Sequence, residues 1–492
     1  MNLSLFIIIV FLALSLYLGI RSRKGKEMNL EQWAIGGRGL GTIFVFLLLA
    51  GENFTTYTFL GVSGSTYSLG APMIYAFTPI CYIVGYWLLP PVWKYAKEKQ
   101  LLTQSDFFAS KYNSKPFGFF VALVGVISVI PYLVLQLKGL GIIVSEASYG
   151  AVSPSAAIWI GMLTATVYVT ISGIHGSAWT SVIKDILMFI IIIFIAIYLP
   201  FHYYGGIKPM FQTVGTVKPE MLTLPDSGNS ISWYVSSCIL FALGAYMWPH
   251  MFGASLSAKS AKVLKRNNIL TPIYQLVMVL VLFIGFTAVL QVPGLKGAEV
   301  DRALFELVKR TFDPWFVGVI GGAGLLTALV PTSMLLMTAA TLMSKNIYQT
   351  LKPQTSDQQL SRLTRILVPI LALVSLYLTF KGGNTIVALL LMAYGFVVQL
   401  FPAVFFSLLK RNPVTVQGAF AGTFIGVAIV AYVTVSGTTI STLFPQLPQF
   451  IKDMDIGIIA VVLNIVFMLF ISLITRKMNA VPRLKNETRL DA

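Results

Sequence analysis

The sequence predicts an all-α polytopic membrane protein with 13 transmembrane helices and a five-plus-five inverted repeat. Three observations support this fold class. The 492 residues are 56% hydrophobic and only 11% charged, which is more apolar than a water-soluble domain of this size needs to be. Apolar runs long enough to cross a bilayer recur along the chain. Two of these runs are interrupted at positions five spans apart, which is typical of transporters built from inverted repeats.

The predicted spans, numbered in chain order, follow the apolar runs. They lie near 3–20, 39–67, 72–93, 117–148, 153–172, 180–202, 232–252, 269–291, 314–344, 364–380, 384–409, 414–434 and 457–475. We expect residues 1–492 to form one transmembrane transporter domain. Its parts are an extra first helix (3–20), two repeats (39–202 and 232–409), two C-terminal helices (414–475) and a basic cytoplasmic tail (476–492). No basic residue precedes the first run and no small-residue cleavage site follows it, so we expect a retained span and not a signal peptide.

Basic residues in the loops predict the orientation of the chain. The formal net charge is +17, and in a membrane protein such an excess reports topology before it suggests nucleic acid. If 21–26 is cytoplasmic, every second loop lies on that side of the membrane. Those segments, with the span edges that adjoin them, hold 25 of the 35 Lys and Arg residues, and the opposite segments hold 8. This asymmetry predicts an N-terminus outside and a C-terminus inside the cell membrane.

Interrupted helices occupy matching places in the two predicted repeats. Span 2 is broken at 51–53 (GEN), and span 7 is broken around Pro249. Spans 4 and 9 are both long and carry a central proline, Pro131 and Pro331. Irregular backbone at membrane depth is tolerated where it is buried in protein or lines a cavity. The matching breaks therefore point to a binding site at the interface of the repeats.

Glu52 lies within the break of span 2. A carboxylate at the centre of a bilayer costs about 2.5–3.5 kcal/mol on insertion scales. Either Glu52 snorkels or pairs with a lysine only to hold the fold, or the helix opens here around a ligand or ion. Both readings stay open from the residues alone.

Several function classes lack their sequence signals. No GxxxxGK[ST] phosphate-binding loop is present, which argues against an ATP-driven pump. The two cysteines lie inside apolar runs and the three histidines are scattered along the chain, so no metal site is expected. We expect no enzyme activity and no organic cofactor. The expected partners are a small anionic solute, a coupling ion and the lipid bilayer, with no nucleic acid.

Five motifs carry a resemblance to a known family. They are IGGRGLG (35–41), LTQSDFFASKY (102–112), ISGIHGSAWTSVIKD (171–185), WPHMF (248–252) and FDPWFVGV (312–319). Together they resemble the sodium:solute symporter family. The further combination of GENFTTYTF, PYLVLQLKG and LVPTSM resembles its branch of bacterial monocarboxylate permeases. The resemblance implies a LeuT-type fold, alternating access and secondary-active solute uptake across the cell membrane.

The same resemblance implies an ion site between the break of span 2 and span 9, usually filled by sodium. The aspartate that sodium-coupled members carry in span 2 falls here on Phe54. The paired hydroxyls of span 9 fall on Val330 and Pro331, while Thr332 and Ser333 lie two positions further on, about 200° around an ideal helix. This sequence therefore departs from the sodium pattern.

Lys184 stands in span 6 where the family commonly has a neutral amide. A lysine in the corresponding helix occupies the sodium position in proton-coupled amino-acid transporters of the same architecture. We therefore expect Lys184 and Glu52 to replace sodium by titrating during the cycle. The predicted ion-coupling residues are Glu52, Lys184, Thr332 and Ser333, with H⁺ favoured and Na⁺ as the alternative. The open alternative is that Lys184, roughly 6 Å beyond the start of span 6, snorkels beside Asp185 as a basic anchor.

Polar and aromatic residues near the breaks are candidates for solute binding, because freed amides and helix N-termini can receive an anionic group. These candidates are Asn53, Thr55, Thr56, Tyr57, Tyr132, Gln136, Lys138, Tyr246, Trp248 and Gln399. A pocket of this kind suits a small carboxylate with apolar substituents. For Lys138, pairing with Glu146 or an outward snorkel remains the alternative.

The predicted function is import of small monocarboxylates such as lactate, pyruvate and short-chain acids, with alanine-like amino acids as a possible extension. One alternative is a sodium-coupled amino-acid, pantothenate or sugar symporter. A transporter-like solute sensor and a channel are the alternatives outside coupled transport, although the chain shows neither an appended signalling domain nor a repeated polar stripe.

Overall fold

A computed structural model describes residues 2–24, 29–70 and 79–480, which form a bundle of α-helices. Ten helices in these ranges are long and apolar enough to cross a membrane. They are Leu3–Arg21, Lys115–Ala147, Pro154–Ser172, Ile174–Tyr204, Ala261–Gln291, Pro314–Leu351, Asp357–Lys381, Ile386–Ser407, Val416–Ser436 and Ile456–Arg476. Shorter helices between them include Leu30–Ile35, Gln104–Lys111, Ile207–Val217 and Ala303–Thr311.

Spans 2 and 7 are each a pair of shorter helices joined at a bend. Thr42–Asn53 meets Tyr57–Leu69 at 48°, and Ile231–Met247 meets Pro249–Leu256 at 51°. The two bends lie where the sequence predicts interrupted helices. If each bent pair is one span, the described residues hold up to 12 candidate spans.

The described residues hold up to 12 candidate spans and not the predicted 13, because the predicted third span is not among them. The helix found there, Cys81–Glu98, ends in a segment with three charged residues, Lys94, Lys97 and Glu98. Residues 71–78, where the predicted span begins, lie outside the described ranges. The total of 13 spans and the orientation of the termini therefore stay predictions.

Local chemistry explains both bends. In span 2, Phe54 has an irregular backbone conformation (φ −92°, ψ 85°). The Thr58 hydroxyl donates to the main-chain oxygen of Asn53, and the Thr55 hydroxyl accepts from the amide of Tyr57. These side chains satisfy backbone groups that the interrupted helix leaves without partners. In span 7, Trp248 is extended and Pro249 opens the next helix, where its missing N–H costs nothing.

Span 6 begins earlier than the sequence predicts, at Ile174 and not near residue 180. Gly173 turns the chain between spans 5 and 6 with a φ of +54°, and a Cβ on it would lie 2.4 Å from the main-chain oxygen of Trp33. Only glycine fits this turn. Lys184 therefore lies ten residues, or about 15 Å, inside the helix and not the roughly 6 Å estimated from the apolar run.

Span 9 occupies the centre of the bundle. Its most apolar stretch is 94% buried, compared with 22% for span 1 at the periphery. Span 9 packs against spans 1, 4, 5 and 6. The broken spans and span 6 thus meet around a buried centre and not at the lipid-facing surface.

Asp106 connects the short helix Gln104–Lys111 to the far end of span 9. Its carboxylate accepts from the amides of Leu102 (3.0 Å) and Thr103 (3.1 Å), the Lys345 ammonium (2.6 Å) and the Asn346 amide (2.7 Å). Burial raises the pKa of Asp106, but the Lys345 charge and these hydrogen bonds outweigh it and hold the pKa below its usual value. The carboxylate therefore stabilises the folded state.

We expect Asp106→Asn to lower the stability of the protein by about 1.5–3 kcal/mol at pH 7, because a hydrogen-bonded charge is lost. Since the native pKa is lowered, the contribution is complete above about pH 4, the usual carboxyl value, and is lost as the pH falls through the native pKa. Thermal unfolding in detergent at several pH values measures it. The exposed Asp357 is the matched control, and Asp357→Asn should change little. An equal effect of both substitutions at pH 7 would contradict the prediction.

Candidate functional site

A buried ammonium group occupies the bend of span 2. Lys184 is fully buried, and its Nζ donates to the main-chain oxygens of Gly51 and Phe54, the latter at 3.0 Å. The Oδ1 atom of Asp185 lies 3.2 Å from the same nitrogen. The last carbonyls of a helix have no partners within it and carry the negative end of its dipole. The lysine therefore satisfies the carbonyls that the break exposes.

Small residues make room for this ammonium. A Cβ on Gly51 would lie 3.1 Å from both the Lys184 nitrogen and the Ser181 hydroxyl. Ser181 is itself fixed by donating to the main-chain oxygen of Ser177, one turn earlier in span 6. The structure does not place Lys184 at a membrane interface, as the snorkelling alternative requires, because the side chain reaches inward to span 2.

Glu52 lies on the other side of the same bend and faces span 7. Its Oε2 atom is 3.5 Å from Nε2 of His250, and both side chains are almost completely buried. The main-chain oxygen of Glu52 accepts a hydrogen bond from the Tyr132 hydroxyl at 3.2 Å. Glu52 is therefore not paired with Lys184 in the structure, whose ammonium lies against Asp185 and the backbone.

A small cavity of about 30 Å³ adjoins Glu52 between the two bends. Pockets for drug-sized ligands measure roughly 300–1,000 Å³, so this cavity fits water or, after opening, a small solute. It is lined by Glu52, Asn53, Tyr57, Cys81, Tyr132, Phe241, Ala245, Gln275, Met278, Leu390 and Tyr394. The structure thus brings four predicted site residues to one cavity: Glu52, Asn53, Tyr57 and Tyr132.

Other predicted residues form the walls behind this cavity. The Thr56 hydroxyl donates to Gln136 Oε1 at 2.8 Å and so joins span 2 to span 4. The Trp248 ring packs on Tyr132, with 4.9 Å between ring centroids. Tyr246 instead donates its hydroxyl to the side chain of Asn268 at 2.7 Å, towards span 8. Together with Thr55, these residues fix the two bends and do not line the cavity.

Lys138 lies apart from the cavity, in the C-terminal third of span 4. Its ammonium is 3.4 Å from Asp301 Oδ2 and also donates to the main-chain oxygen of Asn384. The predicted alternative, a pair with Glu146, is not present, because Glu146 binds Arg302 (2.6 Å) and Lys309. Lys138 thus connects span 4 to the segment between spans 8 and 9.

Gln399 also lies away from the cavity. Its side-chain amide donates to the main-chain oxygens of Gly395 and Gly457, each at 3.0 Å, where span 11 meets span 13. The side chain of Asn464 donates to the main-chain oxygen of Gln399 at 2.8 Å. The structure places Gln399 in the packing of the last helices.

The span 9 hydroxyls approach span 6 and not the cavity. The Ser333 hydroxyl lies 2.7 Å from that of Ser177, which is one turn before Ser181. The Thr332 hydroxyl donates to the main-chain oxygen of Ala328 in its own helix. Ser333 is thus connected to the lysine cluster through span 6.

His250 and Asp185 are the site residues that sequence reasoning did not select. In the sequence, His250 is one of three scattered histidines, and the only signal for it is its position directly after Pro249 at the second break. The sequence suggests for Asp185 only a place beside Lys184 at a membrane interface, and no sequence signal indicates that its side chain is buried.

Comparisons with known proteins agree with this architecture. A model described as the sodium:solute symporter family matches residues 33–426. The Bacillus subtilis protein named uncharacterized symporter YhjB is 60% identical over 479 residues, which are 97% of this chain and 98% of that protein. A Rhizobium johnstonii monocarboxylate transport permease protein is 27% identical over 419 residues, which are 83% of this chain and 84% of that one. A solved Na⁺-coupled sialic acid symporter in a substrate-bound, outward-open state has a TM-score of 0.79 at 16% identity, with 96% of this chain and 98% of that chain covered. This likeness confirms the predicted LeuT-type fold class.

Proposed function

Because this chain belongs to the sodium:solute symporter family, we propose that it imports small monocarboxylates together with protons. The chain is a multi-pass membrane transporter and not an enzyme. Its family and its apolar helices are consistent with a location in a bacterial cell membrane. Alternating access then moves the solute past the two bends. Lys184 and Glu52 stand in place of the sodium site in this mechanism.

The observation that carries the coupling proposal is the contact of Lys184 with the backbone of span 2. An ammonium that donates to two carbonyls already supplies the positive charge that a bound monovalent cation would bring there. A second cation about 4 Å away would be repelled by about 4 kcal/mol at an effective dielectric constant of 20. Sodium is therefore disfavoured at this position, which supports protons as the driving ion.

The substrate proposal has two supports. The Rhizobium relative named as a monocarboxylate permease aligns with most of both chains. The cavity also has the composition that a short acid with an apolar tail needs. Asn53 and Tyr132 contribute polar groups to its lining, and Phe241, Met278 and Leu390 contribute apolar ones. Its small volume favours lactate, pyruvate and short-chain acids over larger solutes.

Uptake into proteoliposomes tests both parts. We expect labelled lactate or pyruvate to accumulate when an inward proton gradient is imposed without sodium, and not in protein-free liposomes. If accumulation of these acids requires sodium, the proposed substrate class stands and the proposed proton coupling is contradicted. Uptake of labelled proline or pantothenate in place of the acids would instead favour the other symporter class. Binding without uptake of any of these solutes would favour a sensor.

A further inference from the structure

Glu52 and His250 form a pair that bridges the two broken helices. The Oε2 and Nε2 atoms lie 3.5 Å apart, and the side chains are 0% and 1% exposed. Glu52 is the second-last residue of Thr42–Asn53, and His250 is the second residue of Pro249–Leu256. Among the residues that the structure describes, neither carboxylate oxygen of Glu52 has a hydrogen-bond partner, and the Nδ1 atom of His250 has none either. A buried carboxylate without donors is unstable unless it is protonated or paired.

The charges around this pair are nearly balanced without it. The titratable side chains that face it from other elements are Cys81 on span 3, Tyr132 on span 4, Tyr168 on span 5, Lys184 and Asp185 on span 6 and Tyr394 on span 11. Cysteine and tyrosine are ordinarily neutral at pH 7. Lys184 and Asp185 form an ion pair of zero net charge at 3.2 Å. The charge of the cluster therefore depends on whether the Glu52–His250 pair holds a proton.

We propose that the Glu52–His250 pair is the site that takes up and releases the transported proton, while Lys184 stays in contact with Asp185 and the backbone of span 2. This inference rests on the proposed proton coupling and names the groups that carry it. Without the proton, Glu52 is a carboxylate facing a neutral imidazole, and the cluster has a net charge of −1. One proton, taken from the aqueous solution onto a carboxyl oxygen of Glu52, brings the cluster to zero.

The geometry couples this proton to an anionic solute. Glu52 lines the cavity, so an incoming carboxylate meets a charge of −1 when the pair is empty and no net charge when it is loaded. Repulsion in the first state and its absence in the second make proton and anion bind together. Each cycle then carries one proton and one monocarboxylate, and the two charges cancel.

The position of His250 also lets a change in protonation affect the contacts of both broken helices. The imidazole packs against Tyr132 and Trp248, at 5.6 and 5.5 Å between ring centroids, and the Tyr132 hydroxyl binds the backbone of Glu52. A change in protonation therefore alters contacts that span 2, span 4 and span 7 share. His250 acts through Glu52 as a positioning residue, since its Nε2 atom, in the tautomer that carries the hydrogen there, faces a carboxylate oxygen without a hydrogen-bond partner among the described residues.

Infrared difference spectroscopy during a pH titration tests the site without any substrate. We expect the purified protein in lipid to show the carbonyl band of a buried carboxylic acid, and Glu52→Gln to remove it. His250→Phe keeps an aromatic ring but removes the donor, so the acid band should persist to higher pH, by about one unit or more. Glu146→Gln is the matched control, because Glu146 is ion-paired at one end of the bundle, and it should leave the titration unchanged. A parent protein without the band, a band that survives Glu52→Gln, or a titration unmoved by His250→Phe would overturn the proposal.

Transport assays separate this proposal from the proposed function. In Glu52→Gln we expect accumulation driven by a proton gradient to be lost, whereas Glu146→Gln, changed at an ion-paired carboxylate away from the cavity, should accumulate solute like the parent. Proton-driven accumulation at the parental level in this variant would also overturn the site. If the parent accumulates acids only with sodium, the proton coupling fails, and the spectroscopic titration still reports independently whether Glu52 and His250 hold a proton.

Discussion

Lys184→Ala is expected to abolish proton-driven uptake and to lower the stability of the protein by about 3–5 kcal/mol, the usual effect of removing one partner from a buried ion pair. The substitution leaves Asp185 as an uncompensated buried charge and removes the donor of the Gly51 and Phe54 carbonyls. The end of the first half of span 2 then loses the group that satisfies these two carbonyls. Sodium-free uptake in proteoliposomes and thermal unfolding in detergent measure the two effects.

A double variant separates the fold from the transport role. Lys184→Ala with Asp185→Asn removes both charges, so we expect much of the lost stability to return, with an interaction energy of about 0.5–3 kcal/mol. Uptake should stay absent, because nothing then fills the position between the two carbonyls in place of the ammonium. If Lys184→Ala keeps both parental stability and parental proton dependence, the ammonium has no role at the bend.

The breaks of the helices could be predicted from the sequence because their causes are local. Glycine, proline and threonine act on the backbone within a few residues, and the 48° and 51° bends occur at the predicted places. Asn53, Tyr57 and Tyr132 could be chosen as cavity residues from local signals as well, since the first two flank the break of span 2 and Tyr132 follows the central proline of span 4. The LeuT-type fold followed from these breaks together with the family motifs.

The partners of charged residues could not be predicted, because they depend on contacts between distant segments. Lys184 donates to a backbone carbonyl 130 residues away in sequence, while Glu52 meets His250 on the opposite repeat. The apolar run also predicts too late a start for span 6, since the helix already begins at Ile174 with a stretch that contains polar residues. Lys138, like Lys184, is a lysine inside a predicted span, yet it binds Asp301 away from the cavity.

The two glycines near the bends provide a matched test of the lysine position. A Cβ on Gly51 would lie 3.1 Å from the Lys184 nitrogen and 3.3 Å from Asp185 Oδ2, whereas a Cβ on Gly253 would meet no heavy atom within 4 Å. Both glycines are helical, so alanine is acceptable to the backbone at either site and in general favours a helix by about 0.5–1 kcal/mol. The two substitutions therefore differ in what the new methyl group displaces.

We expect Gly51→Ala to reduce sodium-free, proton-driven uptake roughly tenfold to hundredfold, because moving the ammonium by a few tenths of an ångström or more weakens a charged hydrogen bond worth about 1.5–3 kcal/mol. Gly253→Ala should transport like the parent. The comparison is made at equal amounts of folded protein, so that stability does not enter the rates. Equal uptake by the two variants would mean that the ammonium tolerates displacement. Transport would then depend on the presence of a charge near the bend and not on its contact with the two carbonyls.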